Sequence, residues 1–263
     1  IRWAQGYSEP NAGSDLASLM TKCEDKGDHY LINGQKIWTS YADKGDWIFV
    51  LVRTDFEAPK HQGISFVLVD MAQPGVTTKP IKLISGVSPF CETFFDDARC
   101  EKKNLVGELN KGWTIAKYLL THEREMIGHM GTDVARPMSE IAAQQIGLTE
   151  DGTLADPVLR TDIARAEIDM IAFKSTLDRV NDEAKAGQGV GAASSILKYY
   201  GTELNKRRHE LLMDSAGHEG LVWDGEGDAA RRWLRTKGNS IEGGTSEVQL
   251  NIISKHILQL PTG

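Results

Sequence analysis

The stretch Asn104-Leu105-Val106-Gly107-Glu108-Leu109-Asn110-Lys111-Gly112-Trp113, "NLVGELNKGW", divides the chain into two parts with different periods. Before it, apolar residues come in short runs separated by turn residues. After it, they recur at spacings of three, four and seven. Trp113, Ala116, Leu120, Ile127 and Met130 form one such stripe, the mark of an amphipathic helix. A domain boundary is therefore expected near residues 107–112.

Upstream, "DWIFVLVRT" and "GISFVLVDM" are β-branched runs bounded by turn residues, and "VTTKPIKL" and "ETFFDDARC" continue the pattern. In "HYLINGQKIWTS" the pair Asn33-Gly34 lies between two alternating runs and predicts a hairpin. The expected first domain, residues 1–107, is an antiparallel barrel or sandwich. Downstream, Asp156 to Gly187 reads as a long helix with Asp156 as cap, Pro157 in the first turn and Gly187 at its end. Ser194 to Gly217 and Ser246 to Leu260 read as two more, the last stopping at Pro261. The expected second domain, residues 108–263, is an antiparallel four-helix bundle, which makes the fold class α+β and multidomain.

Composition narrows the function. At 263 residues the chain exceeds one typical domain, and its 25% charged and 40% hydrophobic content is that of a soluble globular protein. A net charge of −7 gives no basic footprint for nucleic acid. No apolar run reaches the roughly 18 residues of a membrane span, and no secretory-signal pattern is present. Cys23, Cys91 and Cys100 are odd in number and lack CxxC spacing, so reduced thiols in a cytoplasmic protein are expected, and no metal site.

Four segments carry chemistry, and each has a structural alternative. "GYSEPNAGSD" (Gly6 to Asp15) forces a turn through Pro10 and Gly13, and Ser8 and Ser14 can hydrogen-bond a polar ring or phosphate. The alternative is a surface turn followed by a helix capped at Ser14-Asp15. "GQKIWTS" ends a strand with Trp38, Thr39 and Ser40, which suit a flat, polar-edged ligand, or else place a tryptophan in a barrel core. In "THERE", Glu123 shares the stripe of Ala116, Leu120, Ile127 and Met130, where a carboxylate would have a raised pKa and could act as a general base. Arg124 lies about a quarter-turn away and could meet an anionic or carbonyl group. The alternative is a buried glutamate paired with a basic residue of another helix. In "NSIEGGTSEVQ" (Asn239 to Gln249), Thr245 can cap the last helix, whose amides favour a pyrophosphate. A plain helix cap with Glu247 in the first turn explains the same residues.

Taken together and in order, "YSEPNAGSD", "NGQKIWTS", "FDDARCEKKNLVGELNKGW", "HER" and "GGTSEVQLNIISKHILQLP" resemble the acyl-CoA dehydrogenases, flavoenzymes that oxidise acyl-CoA thioesters. The resemblance implies that the two parts correspond to the family's middle β domain and C-terminal helical domain. Family members also have an N-terminal helical domain, which this chain would lack. FAD is the implied cofactor, acyl-CoA the substrate, electron-transfer flavoprotein or a similar acceptor the redox partner, and a homotetramer or heterotetramer the assembly.

By the same resemblance Gln5, Gly6, Tyr7, Ser8 and Ser14 would line the flavin, with Ser14 also near the acyl-CoA. Trp38, Thr39 and Ser40 would lie along the isoalloxazine, with Ser40 where a hydroxyl approaches flavin N5. Thr245 and Glu247 would bind the FAD ribose or phosphate portion, and Arg124 would adjoin the thioester and CoA. Many members carry the catalytic base directly before the Gly-Thr of the last loop. That position here is Gly243, with Glu242 one residue early. A minority class, including isovaleryl and long-chain types, carries it before the helix arginine, and that position is Glu123. The implied reaction is α,β-dehydrogenation to the trans-2-enoyl-CoA, with Glu123 as base and hydride transfer to flavin N5.

Two departures stand out. The Arg-x-x-Phe-Gly segment that many members turn toward the neighbouring subunit's FAD is not recognisable after "ARPMSEIAAQQIG", and "DSAGHEGL" matches the usual Gly-rich stretch only loosely. They leave room for a non-catalytic or FAD-poor subunit of a heteromeric enzyme. An oxygen-using acyl-CoA oxidase or a nitroalkane-oxidase-like flavoenzyme is the third reading. A helix-borne base favours branched, long or bulky acyl groups, steroid side-chain CoA esters among them.

Overall fold

Apolar alternation on two neighbouring strands organises the first part of the chain. β4 (Trp47–Arg53) and β5 (Ile64–Asp70) pair antiparallel with Ile48 opposite Val69 and Val50 opposite Val67. All four side chains are fully buried in one core with Ile32, Cys91, Phe95 and Ala98. The computed structural model describes residues 1–128, 136–188, 191–224 and 228–261, with the backbone alone for 121 and 123–128. Contacts divide the chain into two units, Ile1–Leu119 and Leu120–Gly263.

In the first unit β1 (Trp3–Gly6), β2 (Lys22–Asp25), β3 (His29–Ser40), β6 (Val76–Ile81), β7 (Phe90–Glu101) and β8 (Leu105–Val106) complete one eight-stranded sheet. Its order is β6-β7-β3-β2-β4-β5-β8, with β1 paired to β4 off this path. The sheet curls back on itself, because the Cys100 thiol on β7 donates to the Leu68 carbonyl on β5 at 3.5 Å although three strands lie between them in the order.

Two features differ from the sequence expectation. The sheet is mixed, since β1 and β2 both run parallel to β4. Asn33-Gly34 is not a hairpin turn: β3 runs unbroken from His29 to Ser40, with a register shift against β7 between Ile32 and Gly34. The reason is a close approach. A Cβ on Gly34 would lie 2.8 Å from the Thr21 Cα, and the Asn33 amide exchanges hydrogen bonds with Asp97 instead of closing a turn.

At the change of period, α1 (Gly112–Gly128) starts where expected. Gly112 lets it begin hard against β5, since a Cβ there would stand 2.4 Å from the Ser65 carbonyl carbon. Among the described residues the second unit adds α2 (Met138–Ile146), α3 (Pro157–Lys185), α4 (Ala193–Ala216), α5 (Ala229–Thr236) and α6 (Ser246–His256). The short α2 and α5 were not among the helices expected. Asp156 caps α3, accepting from Val158 N at 2.9 Å and Leu159 N at 3.0 Å, with Pro157 next to it. The α3 stripe packs against α4 in two layers. Leu159, Ile163 and Ala166 meet Leu211, and Phe173, Leu177 and Val180 meet Leu197 and Leu204. Early α3 thus faces late α4, so the pair is antiparallel.

Candidate functional site

In the first unit the two segments singled out for a ring-shaped ligand are joined at one strand end. β1 runs into Tyr7 and Ser8, and the Ser8 carbonyl accepts from Ile37 N on β3 at 2.9 Å. Beyond Ser8, Glu9 and Ala12 close a tight turn around Pro10 by exchanging backbone bonds at 3.1 and 3.0 Å. Past Ile37 the β3–β7 register breaks between Lys36 and Thr39, and Trp38 takes a left-handed φ of 63°. Such a bulge re-aims side chains. Trp38 is accordingly 52% exposed, resting edge-on against Phe90 at 6.1 Å, and it is not a core tryptophan. Thr39 next to it is fully buried, and its hydroxyl meets no partner among the described residues. Ser40 is exposed.

Gln5 and Gly6 sit in β1 opposite Phe49 and Val50. The Tyr7 ring is buried edge-on against Phe49 at 5.9 Å and Phe66 at 6.4 Å, so any ligand contact near this residue falls to its backbone. Ser14 is exposed beyond the turn, and no α-helix follows it. Instead Asp15 precedes a single 3-10 turn, Leu16–Ser18, and pairs with Lys60 and Ser18.

Sequence reading missed what holds this strand end. Lys36 is fully buried, and its Nζ donates to Glu9 Oε1 at 2.8 Å and to the Tyr7 carbonyl at 3.0 Å. Glu9 also accepts from Met20 N at 2.7 Å and Thr21 N at 2.8 Å. Burial pushes Glu9 up, but the Lys36 ammonium and these amides outweigh it and hold the carboxyl below its ordinary range. Burial pulls Lys36 down to about 8 against the attraction of Glu9. A signal existed: Tyr30, Ile32, Gly34 and Lys36 share one strand face by the period of two.

In the second unit the loop from Asn239 to Thr245 is bound by a polar network. Buried Lys198 donates to the Asn239 carbonyl at 3.0 Å, and the Asn239 side chain bridges Asn205 and Glu242. Arg235 clasps Glu242 with two bonds, at 3.2 and 2.8 Å. Glu203 receives Ser240 at 3.0 Å and Ser246 at 3.3 Å. Gly243 and Gly244 follow with φ of 65° and 90°, and the Gln249 amide donates to both their carbonyls. Thr245 then caps α6, accepting from Val248 N at 3.2 Å. Glu247 is exposed in the first turn, and its own backbone amide and the Thr245 hydroxyl lower its pKa. The helix end therefore presents amides, a hydroxyl and an ionised carboxylate.

Glu123 and Arg124 lie on α1, and their side chains fall outside the described residues.

Two family models match the chain, "Acyl-CoA dehydrogenase, middle domain" over residues 4–98 and "Acyl-CoA dehydrogenase, C-terminal domain" over residues 110–258. The acyl-CoA dehydrogenase IpdE1 of Mycobacterium tuberculosis is 39% identical across 98% of this chain and 67% of its own length. Among solved structures, the Tcur3481-Tcur3483 steroid ACAD superposes with a TM-score of 0.90 at 30% identity, covering 99% of this chain and 68% of that one. The ChsE4-ChsE5 complex from Mycobacterium tuberculosis gives a TM-score of 0.83 at 30% identity over 100% and 70%. With both parts matched in the order read from the change of period, the chain belongs to the acyl-CoA dehydrogenase family of oxidoreductases.

Proposed function

We propose that the protein is an FAD-dependent dehydrogenase that introduces the α,β double bond into a bulky, steroid-derived acyl-CoA. The observation that carries this reading is the joining of Tyr7–Ser8 to Lys36–Ser40 through the Ile37–Ser8 backbone bond. One strand end thereby offers a half-exposed indole and hydroxyls together. The residues fit a flavin on two counts. Thr39 has a buried hydroxyl with no partner among the described residues, and Trp38 is turned outward by a strained bulge, half exposed with Phe90 edge-on to its ring. Trp38, Thr39 and Ser40 would hold the isoalloxazine, with Gln5 to Ser8 and Ser14 lining it. Thr245 and Glu247 would hold the ribose or phosphate portion.

Bound FAD would supply the two-electron acceptor for the hydrogen that leaves the β-carbon with its electron pair. The protein's part is to orient the thioester and take the α-proton. We assign that proton to Glu123. The loop glutamate is already engaged by Arg235 and Asn239, and the position after it is a glycine at φ 65° that adds no carboxylate. Arg124 would meet the thioester or CoA. The likeness to the steroid ACAD supports the substrate class, and the likeness to the ChsE4-ChsE5 complex supports a heteromeric assembly over a homotetramer. Electron-transfer flavoprotein is the proposed acceptor.

That second likeness also sustains a rival reading, an FAD-poor subunit whose partner does the chemistry. The deciding experiment purifies the full-length protein, alone and with a coexpressed homologue, and assays CoA esters under air and under argon. Yellow protein that reduces an artificial acceptor with a steroid side-chain CoA ester is expected. Colourless protein that takes up no FAD would favour the rival, and substrate-dependent oxygen consumption would point to an oxidase.

A further inference from the structure

Lys36 and Glu9 are an expensive pair to bury. Lys36 is 0% exposed and Glu9 9%, and an apolar pair of similar volume commonly gives equal or greater stability. What the pair provides is position. The Lys36 ammonium holds the Tyr7 carbonyl at 3.0 Å, while the next residue's amide holds the Ser8 carbonyl at 2.9 Å. Consecutive carbonyls of the incoming segment are therefore fixed by consecutive residues of β3. Glu9 closes the third side, tying Lys36 to the Met20 and Thr21 amides. Thr21 is itself fixed, because its carbonyl accepts from Arg53 N at 2.7 Å and its Cα touches the space a Gly34 Cβ would occupy. Lys36 is also the last residue in register with β7, opposite Thr93, before the bulge that turns Trp38 outward.

We propose that the buried Lys36–Glu9 pair is the positioning device of the cofactor-facing strand end, locking Tyr7–Ser8 to Lys36–Trp38 before any cofactor arrives. Neither side chain need touch the ligand. Both act through the backbone of Tyr7 and Ser8 and through the start of the bulge, and a site formed in advance binds without an ordering cost. The inference rests on the flavin reading above.

The test uses the full-length protein, stripped of FAD and reloaded, with two measurements. In the wild type, hydrogen exchange at the Ile37 amide is followed without and with FAD, and strong protection in both states is expected. In the double variant Glu9→Gln/Lys36→Met, which leaves no unpaired charge, FAD is titrated by fluorescence. Binding about tenfold weaker is expected, with altered fine structure in the flavin absorption band and a thermal midpoint of the FAD-free protein close to wild type. A purely structural pair would leave affinity and spectrum unchanged in the folded double variant, and that result would overturn the inference. So would an Ile37 amide that exchanges at free-peptide rates until FAD binds, a result that decides the matter even if the variant fails to fold. Wild-type protein that binds no FAD would overturn the flavin reading as well, whereas FAD binding with an unprotected Ile37 amide would overturn this inference alone.

Discussion

Arg235 reaches across a turn to hold Glu242 by both carboxylate oxygens, Nη1 to Oε1 at 3.2 Å and Nη2 to Oε2 at 2.8 Å. The pair is largely withdrawn from solvent, at 31% and 24% exposure. Asn239 adds a third bond to the same carboxylate, and Lys198 fixes Asn239 from below through its carbonyl. Both oxygens of the carboxylate are thus taken up by donors. Glu242 therefore shapes the loop that carries Gly243, Gly244 and Thr245.

Glu242→Gln tests that role. The amide keeps the shape and one acceptor but loses the charge-assisted pair, at a cost of about 1 kcal/mol. A modest fall in the thermal midpoint is expected, with kcat within about half an order of magnitude of wild type. A loss of two orders would make Glu242 the base.

Glu123→Gln should behave in the opposite way. Removing a general base costs about 10²- to 10⁴-fold in rate. The variant should remain yellow, bind acyl-CoA, and fail to bleach the flavin band when substrate is added anaerobically. Retained bleaching at near wild-type rate would sink the assignment.

The two classes of element and the caps at Asp156 and Thr245 were legible because each is set by residues within a few positions. Asn33-Gly34 was misread because the same dipeptide serves an I′ turn and a bulge, and Thr21, distant in sequence, decides between them. The parallel pairing of β1 with β4 was hidden for a similar reason, since Gly6 and Val50 become neighbours only in the sheet. Lys36 could have been found from its strand face. The grip of Arg235 on Glu242 could not, because it depends on how the chain turns between α5 and the last loop.

Gly244 admits no side chain. Its φ is 90°, and an added Cβ would stand 2.4 Å from the Gln249 Nε2. Gly244→Ala should therefore cost roughly 1–3 kcal/mol and displace the Gln249 amide from the two glycine carbonyls. A lowered thermal midpoint together with weakened FAD binding is expected. Unchanged values for both would mean that the loop relaxes without loss.

Trp38 separates binding from stability. Half its surface is exposed and its ring contact is with Phe90, so Trp38→Ala should change the stability of the FAD-free protein by less than about 1 kcal/mol. FAD affinity should fall about tenfold, the loss of one stacked ring contact. Trp38→Phe should recover most of it. Equal affinity in all three proteins would remove Trp38 from the flavin site.

The buried pair should also be visible in the dependence of stability on pH. Glu9, held below its ordinary 4.5 in the fold against the push of burial, contributes stability that is present above that value and is lost as pH falls through the depressed folded pKa. Glu9→Gln removes the proton-binding group, so its unfolding free energy should fall less steeply over that acid range than that of the wild type. Lys36 gives a slope of the same sign in a separate, alkaline window. Pushed down by burial to about 8 from 10.5, it has shed its proton in the fold while the unfolded chain still holds it, so its contribution rises with pH between those values. The Arg53 guanidinium, also near, stays charged throughout and adds no slope. Urea titrations of wild type, Glu9→Gln and the double variant Glu9→Gln/Lys36→Met across both windows would measure this. Parallel curves at acid pH would mean that Glu9 titrates alike in the folded and unfolded chain.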